Sequence, residues 1–190
     1  LRVAHDVLGD RAVGLTAVGP ALPPRERAEA ERIARTIGAR HLFVESHEID
    51  DPRYRANAGD RCYHCKSELY RITTRVRREL GLAWVANGTN ADDLGDHRPG
   101  LRAANEHRVR SPLVEAGLGK ADVRTVARAL GMGEWDKPAS ACLASRIPYG
   151  TEVTPSRLAQ VGALEASLKD LGLRQVRVRY HTDLARIEVA

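Results

Sequence analysis

The chain is poor in aromatic residues, with one Phe, two Trp and five Tyr in 190 residues. Its core must therefore come mainly from Leu, Val, Ile and Ala. No apolar run approaches the roughly 20 residues of a membrane-crossing helix. The opening LRVAHDVLGD has no secretory-signal layout. Cysteine is scarce as well: there are three, an odd number that argues against a disulfide framework. A cytoplasmic protein in a reducing compartment, with no membrane partner, is the expectation. Nor is there an acidic excess. The net charge of +5 suits phosphorylated ligands or RNA, but charges of both signs are interspersed, as on a solvated surface. No internal repeat or low-complexity tract is present. Both ends read as cut: residues 1–8 look like the back half of a helix stopped at Gly9-Asp10, and residues 184–190 end inside a strand.

The three cysteines lie in two clusters, Arg61-Cys62-Tyr63-His64-Cys65-Lys66 and the run WDKPASACLASRIPYG at residues 135–150. A Cys-x-x-Cys pair can place both sulfurs on one centre, and Cys142 can close the set. Three thiolates bind a soft metal and leave one position open. A cluster with three protein ligands would keep one iron free for exogenous sulfur. Alternatively, Cys142 is a small core residue and the pair is a disulfide or a coincidence.

Residues 12–18 and 41–44 read as buried strands. Between them Pro23-Pro24 opens a helix on Ala30, Ile33, Ala34 and Ile37, and Gly38 ends it. Residues 51–59 read as a polar loop. A helix from about Cys62 to Leu80, with Leu69, Ile72, Val76 and Leu80 on one face, puts the cysteine pair at its N-terminus. There the dipole favours thiolates or an anionic cluster, while Lys66 is a solvated charge. Residues 83–86 read as a third strand leading into Asn87-Gly88-Thr89-Asn90-Ala91-Asp92-Asp93, a place where open α/β sheets bind ligands. Asp92 and Asp93 could hold Mg²⁺ or cap a helix. The loop continues through Asp96-His97-Arg98-Pro99-Gly100, residues 101–107 are helical, and Ser111-Pro112-Leu113 is a break.

Residues 121–130 form a helix on Val123, Val126, Ala127 and Leu130. Residues 135–150 have no period, and a long irregular segment is more often functional than idle. Thr154-Pro155 opens a helix carrying Val161, Leu164, Leu168 and Leu171. Residues 175–181 then alternate strictly, with Arg177, Arg179 and His181 opposite Val176, Val178 and Tyr180; turning at Asp183, they pair with residues 184–189 in a hairpin. The reading is α/β: a doubly wound, mostly parallel, Rossmann-like sheet over residues 1–150, then the start of a smaller α+β module over residues 151–190.

Asp60-Arg61-Cys62-Tyr63-His64-Cys65-Lys66, Gly88-Thr89-Asn90-Ala91-Asp92-Asp93, Arg98-Pro99-Gly100-Leu101-Arg102, Ala144-Ser145-Arg146-Ile147-Pro148-Tyr149-Gly150 and Val176-Arg177-Val178-Arg179 occur in this order. With them the chain resembles the LarE family of ATP-dependent sulfur transferases. That family belongs to the PP-loop pyrophosphatase superfamily, with NAD synthetase, GMP synthetase and tRNA thiolases. The resemblance implies that ATP adenylates a carboxylate of a pyridinium dicarboxylate mononucleotide. Sulfur then displaces AMP and leaves a thiocarboxylate, on the way to a nickel-pincer nucleotide. The family's Ser-Gly-Gly-x-Asp-Ser loop would lie just ahead of Leu1, and its C-terminal portion beyond Ala190.

Family members with a single cysteine sacrifice it, at the position of Ala141 here. Cys62, Cys65 and Cys142 resemble instead the branch whose cysteines hold a [4Fe–4S] cluster. By resemblance, Ser145, Arg146, Arg177 and Arg179 bind the substrate phosphate. Glu165 and Glu188 are active-site carboxylates. Gly88, Thr89, Asn90, Asp92 and Asp93 surround ATP and Mg²⁺. The two cysteine segments should then meet at the carboxyl edge of the sheet. A homo-oligomer is expected, with the sulfur donor unassigned. The competing readings are a tRNA thiolase, against which stands the lack of an aromatic stacking set or basic appendage, and a zinc-stabilised module closed by His64 or His97.

Overall fold

The computed structural model describes residues 1–95 and 98–189. The readings that touch Asp96, His97 and Ala190 lie outside the described residues. The architecture is α/β, as the patterning implies. Helix α1 (Arg2–Leu8) ends at Gly9, whose φ of 57° suits glycine. Strands β1 (Val13–Val18) and β2 (Arg40–Glu45) are parallel, with Val13 opposite Arg40 and Val18 opposite Glu45. Helix α2 (Pro24–Ile37) joins them and packs on both. It starts with proline in its first turn, and Gly38 ends it in the left-handed conformation.

Two local expectations are corrected. Residues 51–59 are not all loop: α3 (Pro52–Arg55) forms because the Asp51 carboxylate accepts the Arg53 N–H and Pro52 occupies the first turn. Residues 83–86 form no strand. They contribute one parallel bridge, Ala86 to Arg110, and Trp84 stays exposed, because no neighbouring strand pairs with them along their length.

Helix α4 (Arg61–Glu79) carries the cysteine pair at its start, as expected. Its inner face is Tyr70, Ile72 and Val76. Helices α5 (Pro99–Glu106), α6 (Pro112–Glu115) and α7 (Lys120–Ala129) follow. Tyr70 packs with Ala103, Ala104 and Val109. On α7 the expected face is thin, since Val126 is exposed.

Helix α8 (Pro155–Asp170) is capped by Thr154, whose hydroxyl accepts the Arg157 N–H. It packs on β3 (Val176–His181), which pairs antiparallel with β4 (Leu184–Val189) through a turn that puts Thr182 at φ 46°. The buried stripe of α8 is Leu158, Val161 and Glu165; Leu164 and Leu171 point to solvent, which corrects the expected stripe. Glu165 can occupy the inner stripe because an arginine meets it there. The core is not purely aliphatic either, since Tyr54 and Tyr70 are both buried.

The chain divides into two compact units. One comprises Leu1–Arg61 and the chain from Ala141 onward; the other is Cys62–Ser140.

Candidate active site

In the first unit, residues 141–151 run as irregular backbone apart from a 3₁₀ turn at Leu143–Arg146. Backbone carbonyls without a ladder must find donors elsewhere when buried. Arg146 supplies several. Its guanidinium, 4% exposed, donates from Nη1 to the Ala141 carbonyl (2.9 Å), the Cys142 carbonyl (3.3 Å) and Ser145 Oγ (2.8 Å). From Nε and Nη2 it grips both oxygens of Glu165, at 2.7 and 3.1 Å. This is a two-pronged, charge-assisted pair. Glu165 Oε1 also accepts the Val178 N–H at 3.0 Å, so one carboxylate ties α8 to β3 and to the Cys142 turn.

The strand face carries a second set. Arg179 donates from Nη1 to the Ser145 carbonyl (2.8 Å) and from Nε to Glu188 Oε2 (3.0 Å). Arg186 reaches the other Glu188 oxygen at 2.9 Å. The Arg179 hydrogen bond, reinforced by the charges of Arg179 and Arg186, holds Glu188 below the usual carboxylate range against an opposing desolvation. That makes Glu188 a poor proton acceptor and a good anchor for Arg179. Arg177 shares the Arg179 face, opposite Glu188 in register, and its side chain makes no hydrogen bond or ion pair among the described residues. Cys142 is exposed, its backbone extended (φ −61°, ψ 155°), and its carbonyl accepts both the Ser145 N–H and the Ser145 hydroxyl.

In the second unit Cys62 is exposed and Cys65 half-buried, three residues apart on the first turns of α4 and so on one face. All three cysteines are thiols. Within either unit, no three His, Cys, Asp or Glu side chains among the described residues gather closely enough to hold an ion. The Arg98–Arg102 motif packs on this turn. Gly100 lies where a Cβ would meet Lys66 Cγ at 2.9 Å, Arg102 stacks 3.8 Å over the Tyr63 ring, and Tyr63 donates to Glu106.

The Gly88–Asp93 loop is fixed from both sides. Asn87 Oδ1 accepts the Thr89 N–H and the Ser111 hydroxyl, and Asp93 accepts the Asn90 N–H while pairing with Arg98 at 2.8 Å. Asp92 does cap a helix, but a distant one: it accepts the Lys120 N–H, at the start of α7, at 2.7 Å.

Two residues that sequence reasoning did not single out belong with the Cys142 segment. Asn57 is fully buried and Arg61 is 5% exposed; both bond to carbonyls within residues 144–151. Arg61 lies inside a quoted motif, while nothing in the sequence marks Asn57.

No protein-family model matches the chain. It is 48% identical over 188 residues to an uncharacterised Synechocystis protein, covering 99% of this chain and 70% of that one. It is 38% identical over 190 residues to the pyridinium-3,5-bisthiocarboxylic acid mononucleotide synthase of Lactiplantibacillus plantarum, covering 100% of this chain and 69% of the synthase. The chain belongs to the LarE family. An uncharacterised Methanocaldococcus jannaschii protein matches over a shorter stretch, 34% identical over 133 residues, covering 70% of this chain and 52% of that protein. Of the positions that the resemblance singles out, Ser145, Arg146, Glu165, Arg179 and Glu188 form one bonded assembly beside Cys142, with Arg177 on the same strand face as Arg179. Gly88, Thr89, Asn90, Asp92 and Asp93 line a fixed loop of the second unit, which also carries Cys62 and Cys65.

Proposed function

We propose that this LarE chain is an ATP-dependent sulfur transferase acting on a pyridinium carboxylate mononucleotide. The observation that carries the reading is the Ser145–Arg146–Glu165–Arg179–Glu188 assembly beside Cys142, in a chain 38% identical over its whole length to a pyridinium-3,5-bisthiocarboxylic acid mononucleotide synthase. A substrate carboxylate oxygen attacks the α-phosphorus of ATP and pyrophosphate leaves. A sulfide sulfur then adds to the activated carbonyl carbon. The C–O bond to AMP breaks, and a thiocarboxylate remains. A cysteine thiolate in place of sulfide gives a thioester, and the thiocarboxylate is freed only when the cysteine Cβ–S bond breaks by β-elimination. AMP is a far better leaving group than hydroxide, which is the reason for activation.

Arg177 and Arg179, on alternate residues of a rigid strand, grip the substrate phosphate with Ser145. Arg146 orients the Ser145 hydroxyl, and Glu188 holds the Arg179 guanidinium. Gly88, Thr89 and Asn90 line the nucleotide, with Asp92 and Asp93 near its Mg²⁺. The donor set Cys62, Cys65 and Cys142 fits a soft, thiolate-ligated group, and these residues would hold a [4Fe–4S] cluster. Such a cluster supplies an iron position for exogenous sulfide.

The test uses protein expressed from the complete reading frame with ATP, Mg²⁺, sulfide and the dicarboxylate mononucleotide. Equimolar AMP, pyrophosphate and an oxygen-to-sulfur exchanged product are expected. Arg177→Ala should raise KM for the mononucleotide about tenfold or more, as loss of a charged hydrogen bond implies. Absence of AMP formation with intact fold would refute the assignment.

A further inference from the structure

We infer that Asn57 and Arg61 are positioning residues for Cys142, forming a polar core that sets the path of the segment carrying it. Three observations in the first unit converge. Asn57 Nδ2 donates to the carbonyls of Ile147 (3.3 Å), Pro148 (2.7 Å) and Thr151 (2.9 Å). Arg61 Nη1 donates both to Asn57 Oδ1 and to the Ala144 carbonyl (2.8 Å). The Asn57 carbonyl accepts the Gly150 N–H, and the Arg55 carbonyl accepts the Val153 N–H.

Carbonyls along the segment are thus held by side chains: Ala141 and Cys142 by Arg146, Ala144 by Arg61, Ser145 by Arg179, and Ile147, Pro148 and Thr151 by Asn57. An irregular segment satisfied in this way has one path, because its carbonyls are held at several separate points by four side chains. Leu143 anchors it further, its N–H on the Ala21 carbonyl and its side chain against Gly162, where a Cβ would come within 3.1 Å. Asn57 sits at φ 54°, a left-handed conformation that asparagine tolerates better than other non-glycine residues. Arg61 is buried beneath the exposed Tyr149 ring, 5.8 Å from its centroid. Both side chains face inward, so neither touches substrate in this reading. They act through the backbone on either side of Cys142 and Ser145.

The inference rests on the reading of Cys142 as part of the sulfur-transfer site. The experiment separates the two. Asn57→Gly keeps the left-handed backbone and removes the amide group that holds three carbonyls; Arg61→Met removes the bridge; Arg61→Lys keeps a cationic donor. In the complete protein, amide hydrogen exchange within residues 141–151 should rise in Asn57→Gly and Arg61→Met while β1 and β2 keep their protection. Alkylation of Cys142 relative to Cys65 should change by about threefold or more. A displaced reacting group costs rate rather than affinity, so kcat should fall about ten- to hundredfold with KM little changed. Arg61→Lys should restore most of both signals.

Unchanged exchange and alkylation in residues 141–151, or a kcat per folded molecule equal to wild type, would overturn the inference. If the wild-type protein transfers no sulfur, the proposed function fails. Exchange and alkylation then still decide whether Asn57 and Arg61 set the position of Cys142.

Discussion

Glu165 and Arg146 are 3% and 4% exposed, and each is the other's charge partner. Removing one partner of such a pair leaves a buried charge uncompensated, which costs about 3–5 kcal/mol, whereas replacing both with apolar groups can be nearly neutral. Glu165→Gln still offers an acceptor to the Val178 N–H, so it isolates the charge. We expect Glu165→Gln and Arg146→Met each to lose about 3–5 kcal/mol in urea unfolding, and Arg146→Met with Glu165→Met to lose clearly less than the sum of the single losses. Single losses below about 1 kcal/mol would show that the pair is a minor contact. Sequence reading named both residues through family resemblance but not their partnership. An i, i+3 count on α8 favours Leu164 over Glu165, and only the arginine 19 residues earlier in the chain reverses that preference. Asn57 was illegible for a similar reason: its worth lies in carbonyls about 90 residues away, which no local pattern encodes.

The β1–β2 pair carries a pH-sensitive element. His41 Nε2 lies 3.0 Å from Thr16 Oγ1 across the pair, with the Phe43 ring edge-on at 4.6 Å. Burial pushes the His41 pKa down, opposed more weakly by the Glu31 charge. The unfolded chain takes up a proton here near the ordinary imidazole value of about 6.5; the folded chain resists until lower pH. The stability contribution is therefore complete above that value and is lost as pH falls from it toward the depressed folded one. Urea midpoints measured from pH 8 down to pH 5 should drop more steeply in wild type than in His41→Phe, and identical slopes would refute the claim. Helices and their stops were the most legible elements. Pro24, Gly38, Thr154 and the strict alternation of β3 act locally, and each is where the pattern put it. Residues 83–86 misled because an apolar run resembles a strand whether or not a partner pairs with it.

Across the whole molecule, the proposed sulfur transfer leaves one choice to the cysteines: whether sulfur arrives on a shared centre or from a thiol that is consumed. Cys62 and Cys65 open the second unit, and Cys142 lies in the first, so no local spacing rule connects them. The residue types are informative nonetheless: three thiols match a soft, thiolate-ligated centre, whereas a single sacrificed thiol would need only one of them. The two chemistries predict different turnover. If Cys62, Cys65 and Cys142 are joint ligands, replacing any one with Ser should abolish both the brown absorbance of anaerobically reconstituted protein and repeated turnover with sulfide. Iron and acid-labile sulfide should be lost in parallel. If Cys142 alone donates its sulfur, Cys62→Ser and Cys65→Ser should retain full activity. The wild-type chain would then stop after one turnover, with the Cys142 peptide lighter by the elements of H₂S. Activity lost only in Cys142→Ser, together with that mass change, would rule out the shared centre and leave a thiol consumed once per molecule.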